Sequence, residues 1–114
     1  MIAIVWEFQV AVGTQEDFEK FYGVDGPWAD LARRDRSYLG ASFLRDLGDP
    51  LRYVLTEYWS ESVVYERHRH QHKSDFLLLE EKRNALVTSA TPLGLFQALD
   101  VPERTGSTWS TRTR

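Results

Sequence analysis

The sequence predicts an α+β fold of the split βαβ kind, a β-α-β-β-α-β order with both helical segments on one face of an antiparallel sheet. Three observations carry this expectation. Two stretches of period-two alternation each run into a stretch of helical spacing, a Gly-Asp-Pro loop joins two alternating stretches into a hairpin, and a short apolar run follows the last helix. At 114 residues, with 42% hydrophobic and 13% aromatic side chains, the chain supports one well-filled core and a single domain. Residues 1–99 are expected to form that domain, and 100–114 a tail or arm.

The first strand is read in residues 2–10. Ile2, Ile4, Trp6, Phe8 and Val10 fall on one side and Ala3, Val5, Glu7 and Gln9 on the other. Gly13 ends it. Thr14 with Asp17 resembles a capping box that opens a helix at Gln15, in which Phe18, Phe21 and Tyr22 share a face. Gly23-Val24-Asp25-Gly26 interrupts that helix, and Pro27 suits the first position of a second piece carrying Trp28, Leu31 and Ala32.

A second strand is expected from Tyr38 to Asp46, with Leu39, Ala41 and Phe43 facing away from Tyr38, Ser42 and Leu44. The third, Arg52 to Trp59, is apolar on both sides and dense in aromatic and β-branched residues, so it must be covered twice. At Ser60 the period changes. Val64, His68, His72, Phe76 and Leu79 form a helical stripe, with Ser60 or Ser62 placed to cap the helix and Ser74 to recap a second piece. Residues 88–92 then end the helix, and residues 93–99 read as the fourth strand.

The charge balance narrows the function. A net charge of −3 with scattered Lys and Arg argues against a nucleic-acid or anionic-membrane surface. Without cysteine the chain offers no disulfide and no thiolate chemistry, which fits a cytoplasmic location. The opening MIAIVW is too short for a signal-peptide core, and nothing approaches a membrane span. The chain is therefore expected to begin as mature protein. No cofactor is expected.

Val5, Leu55, Trp59 and Phe43 or Leu44 are expected on the sheet face that the helices leave bare. A second copy packing sheet against sheet would cover that apolar surface, giving a homodimer closed as a barrel.

With these elements in place the chain resembles a known family. The succession EFQV-x2-G-x4-F-x3-YG, a following Trp, YLGASFLRD, RYVLTEYWSES-x2-Y and a late LG-x-F resembles the antibiotic biosynthesis monooxygenases, ferredoxin-like dimeric α/β barrels. The resemblance covers residues 1 to about 98. It implies a cofactor-independent monooxygenase acting on a small phenolic, quinol or polyketide-like substrate, with Trp59 and Tyr65 lining the pocket. An asparagine of those enzymes falls at Leu55 here. The family also holds haem-degrading enzymes, for which strand one offers Trp6 in place of an asparagine, and members without known activity.

The residues themselves suggest three constellations. Trp59 with Tyr65, Leu55 and Phe43 would shape a pocket for a small hydrophobic or aromatic ligand, or would simply fill the core. Glu7 and Glu57 lie mid-strand among apolar neighbours, and on adjacent strands they would face one cavity as bases, or pair with Arg33, Arg45 or Arg52. His68 and His72, four apart, are candidate bases. They would hold a metal only if Glu57 or Asp75 supplied a third ligand, and no metal is expected. The rival readings are a ligand-binding or stress-response dimer without chemistry, and a polyketide cyclase or isomerase that needs the base but no O₂.

Overall fold

The computed structural model describes residues 1–102. In chain order the elements are β1 (Ile2–Val10), α1 (Gln15–Tyr22), α2 (Pro27–Ala32), β2 (Tyr38–Arg45), β3 (Arg52–Trp59), α3 (Ser62–Gln71), α4 (Lys73–Asn84) and β4 (Val87–Gln97). The four strands form one antiparallel sheet in the order β2-β3-β1-β4, the ferredoxin-like arrangement expected of a split βαβ chain. The tail expected over residues 100–114 lies largely outside the described residues.

Alternation decides which face of the sheet is buried. Phe8 and Val10 of β1, with Tyr53 and Leu55 of β3, pack beneath Phe18, Phe21 and Tyr22 of α1 and Trp28 and Leu31 of α2. Phe8 meets Phe18 at 5.2 Å and Tyr22 at 4.9 Å, centroid to centroid. Burying each such ring removes enough apolar surface to contribute about 1.5–3 kcal/mol. A second cluster, Ile4, Ala32 and Trp59, continues the same layer toward the C-terminal end of β3.

Several local expectations are corrected by the packing. Leu55 (1% exposed) and Trp59 (0%) are on the helix-covered face, so they contribute nothing to the bare one. That bare face is formed by Val5, Val54, Thr56 and Tyr58, with Leu44 and Phe96 half exposed toward its edges. Glu7 also lies there, in contact with Arg52 at 2.6 Å, while Arg52 reaches Asp46 at 3.2 Å. Glu7 and Glu57 are thus on opposite sides of the sheet and share no cavity, because the register sets Ile4 opposite Glu57 and Glu7 opposite Val54, and Glu7, an odd number of residues from Ile4, faces the other way.

In β2 a register shift between Tyr38 and Gly40 breaks the expected alternation and turns Tyr38 to the same side as Phe43. Gly40 takes φ +115°, which a side chain would resist. β2 ends at Arg45 because Asp46 receives Gly48 N–H on its carboxylate and turns the chain. β4 begins at Val87, six residues before the expected start, and takes in residues 88–92. Pro92 is tolerated there because β4 is an edge strand and its register shifts at that point.

The helix starts differ in detail as well. Thr14 stands at the N-cap of α1, but its one hydroxyl proton is shared between the carbonyls of Ala11 (2.8 Å) and Leu86 (2.7 Å), tying the loop to the residue before β4. Neither Ser60 nor Ser62 caps α3. Glu61 is its N-cap residue, and the Ser60 N–H is spent on the Ser37 carbonyl. The break between α3 and α4 falls at His72, two residues before Ser74, with the Phe76 N–H bonding back to the His72 carbonyl.

Candidate functional site

At the C-terminal end of β3, polar groups enter the buried layer. Glu57 is 4% exposed, and both of its carboxylate oxygens are taken by indoles: Trp28 Nε1–H donates to Oε2 at 2.6 Å and Trp59 Nε1–H to Oε1 at 3.1 Å. Local sequence brings the donors there. Glu57 and Trp59 are two apart on one strand and so share a face. Trp28 arrives because Gly26 and Pro27 start α2 tight against α1; a Cβ at Gly26 would meet the Phe21 carbonyl oxygen at 2.4 Å. Burial raises the Glu57 pKa, while the two indole bonds and the Arg69 guanidinium partly restore the ionised form.

Around this carboxylate stands an aromatic chain. Trp59 meets Tyr65 at 5.4 Å, Tyr38 at 5.5 Å and His68 at 5.0 Å; His68 in turn meets His72 at 4.6 Å and Phe76 at 5.6 Å. His68 is 1% exposed. Its Nδ1 lies 4.0 Å from Asp35, and its Nε2 has no hydrogen-bond partner among the described residues. Burial, then the neighbouring His72, lower its pKa against the opposing pull of Asp35, which favours the neutral imidazole. His72, at the outer end, lies 3.7 Å from Asp75. Burial pushes the Tyr65 and Tyr38 phenols up to about 12, and both remain donors at neutral pH.

A groove of about 860 Å³ runs outside this cluster, between α2 and the β2 edge. Tyr22, Ala29, Arg33, Tyr38 and Phe43 contribute to its walls. It does not reach Glu57 or His68. Tyr38 joins the two, lining the groove while its ring meets Trp59. The groove lies on the outer side of Tyr38, and the buried polar cluster lies on its inner side.

Five of the residues singled out in the sequence come together: Glu57, Trp59, Tyr65, His68 and His72. Glu7 lies across the sheet. Leu55 lies in the apolar core, opposite Trp6 and Phe43 in the register, and Phe43 stands at the groove. Among the described residues, no group of three or more His, Asp or Glu is placed to hold a metal ion. Sequence reasoning missed Trp28, Tyr38 and Arg83. Arg83, 5% exposed, donates to the Tyr22 hydroxyl at 3.2 Å and lies 5.0 Å from the Trp6 ring centre. An arginine in the last turn of a helix reads as a solvated C-terminal charge, so Arg83 gave no signal. The Gly26-Pro27 start was the available signal for Trp28.

No family model and no curated protein matches the sequence. Solved structures do match. An asparagine-to-alanine variant of SnoaB, a cofactor-independent oxygenase from Streptomyces nogalater, superposes with a TM-score of 0.74 at 23% identity, over 88% of this chain and 94% of that one. A structure described as an antibiotic biosynthesis monooxygenase gives 0.63 at 17% identity, over 88% and 100% of the two chains. The Pseudomonas aeruginosa protein PA3566 gives 0.62 at 19% identity, over 87% and 94%. No helix among the described residues is long and apolar enough to cross a membrane. This chain therefore has the fold of the solved antibiotic biosynthesis monooxygenases.

Proposed function

We propose that the chain is a cofactor-independent oxygenase of a small phenolic or quinol-type substrate, working as a homodimer. The observation that carries the reading is His68: a buried neutral imidazole with an unpartnered Nε2, set against Trp59. A buried polar atom without a partner costs stability, and proton transfer is a use that repays it.

In this reading the substrate enters by the groove, with Phe43 on its wall, and reaches Trp59 and His68 when the Tyr38 ring between them swings aside. His68 Nε2 takes the proton of an acidic C–H or phenol, with His72 at its outer face. Glu57 is a poorer base, since each of its oxygens already accepts an indole N–H. Tyr65 and Tyr38, held protonated, donate to the resulting oxyanion. The anion passes electrons to O₂; one oxygen atom enters the substrate as a carbonyl and the other leaves as water, so the substrate supplies every electron. The bare sheet face, apolar at Val5, Val54 and Tyr58, is where a second copy packs, and sedimentation at roughly twice 13.3 kDa is expected.

Oxygen uptake with a panel of anthrones and hydroquinones tests this directly, with Trp59→Phe and His68→Ala run beside the parent protein. Uptake that falls in both variants is expected. The second reading, a dimer that binds a small aromatic molecule without chemistry, is favoured by the separation of the groove from Glu57 and His68. Tight binding of a panel member without uptake, in folded dimeric protein, would establish it over the first.

A further inference from the structure

We infer that Glu57 is a positioning residue: its carboxylate clamps the Trp28 and Trp59 indoles together and so fixes the α2 wall of the groove to the face of Trp59. Glu57 is the one acceptor for both N–H groups, one from α2 and one from its own strand. Among the described residues, no arginine or lysine lies within ion-pair distance of the carboxylate. An apolar side chain would fill the same volume at lower cost unless the two donors needed an acceptor, and an ionised carboxylate offers one oxygen to each.

The clamp also connects elements that otherwise touch little. Trp28 packs on Tyr22 of α1 and Phe76 of α4, at 5.3 and 5.4 Å, while Trp59 packs on Tyr38 of β2 and on Tyr65 and His68 of α3. Glu57 ties these two aromatic groups at their meeting point. The titratable and charged groups facing it are Tyr22 from α1, Tyr38 from β2 and Tyr65 and Arg69 from α3, the last bound to Glu80 of α4, while His68 lies against the Trp59 ring. From β1 only apolar Ile4 lies opposite.

The bearing of the clamp on turnover rests on the oxygenase reading above, but its geometry is tested without activity. The chain has four tryptophans, whose Nε1–H signals are followed in ¹⁵N-indole spectra. Those of Trp28 and Trp59, assigned through Trp28→Phe and Trp59→Phe, are expected to move together with pH, sharing one midpoint above 4.5, the ordinary Glu value. Glu57→Gln should abolish that shared titration and move at least one signal upfield, since an amide has a single acceptor oxygen. His68→Gln should leave it in place. Separate midpoints, or a shared titration that survives Glu57→Gln and disappears in His68→Gln, would overturn the inference. If Glu57→Gln does not fold, the single Trp variants decide: each must leave the other indole titrating, with its midpoint moved upward by the loss of one donor to the carboxylate, and an unmoved midpoint would overturn the inference.

Where oxygen uptake is found, Glu57→Gln should lower kcat about tenfold while KM changes less than about twofold, and a rise in KM with unchanged kcat would count against positioning. Shared indole titration without any uptake would keep the clamp and remove the oxygenase.

Discussion

The helix-covered face of the sheet has two halves built from the same materials to different ends. In one, Phe8, Phe18, Tyr22 and Tyr53 crowd together, and their hydroxyls have partners: Tyr53 donates to the half-exposed Glu19 at 2.5 Å and Tyr22 accepts from the buried Arg83. In the other, the rings of Trp28, Trp59, Tyr65 and Phe76 surround a carboxylate and an imidazole. Aromatic packing alone therefore does not distinguish a core from a site. What distinguishes them is that the second half retains a raised-pKa Glu57 and an unpartnered His68 that folding would be better off without.

That contrast can be broken from either side. The largest effect is expected in the apolar half, where Phe8→Ala should cost about 3–5 kcal/mol by denaturant unfolding, through a cavity its neighbours cannot close. A loss as small as that of a surface substitution would deny Phe8 its central place.

In the polar half, Glu57→Gln should change the pH dependence of stability more than its size. A raised folded pKa means that the native state binds the proton more tightly. Its stabilising contribution is complete below 4.5 and is lost as pH rises through the folded value. The parent should thus lose ground to the variant as pH climbs from 4.5, with a slope of at most about 1.4 kcal/mol per pH unit. Parallel stability–pH curves for the two proteins would remove the buried charge from the account.

His68→Phe sharpens the comparison from the basic side. The depressed folded pKa means that the unfolded chain takes up the proton first, so the parent loses stability as pH falls below 6.5 toward the folded value. The variant should lack that loss, so that it gains on the parent as pH falls from neutral to mildly acid. A variant that follows the parent's acid limb would place its titration elsewhere.

The smallest effect belongs to the bare face. Arg52→Ala breaks two part-exposed pairs, to Glu7 and Asp46, and should shift monomer stability by about 0–1 kcal/mol, less at high salt. A larger shift that grows with protein concentration would place Arg52 in the subunit contact.

The fold was legible because its signals are local. The alternation of Ile4, Trp6 and Phe8 and the change of period at Ser60 need no partner to be read. The helical stripe likewise identified His68 and Phe76 as inward-facing even though the helix breaks between them at His72. The site was half legible. Trp59, Tyr65, His68 and His72 lie within fourteen residues, and secondary structure alone brings them together. Trp28 and Tyr38 were missed as site residues because one depends on how α2 docks and the other on a single extra residue in β2.

What the sequence by itself determined is the order, period and amphipathic faces of the elements, since these follow from side-chain spacing along one chain. Only the tertiary structure decided that Glu7 and Glu57 part company across the sheet, that a bulge at Gly40 turns Tyr38 onto Trp59, and that two tryptophans from different elements share one carboxylate. The physical reason is that register and docking are set by contacts between segments far apart in sequence, where a shift of one residue reverses a side chain's face.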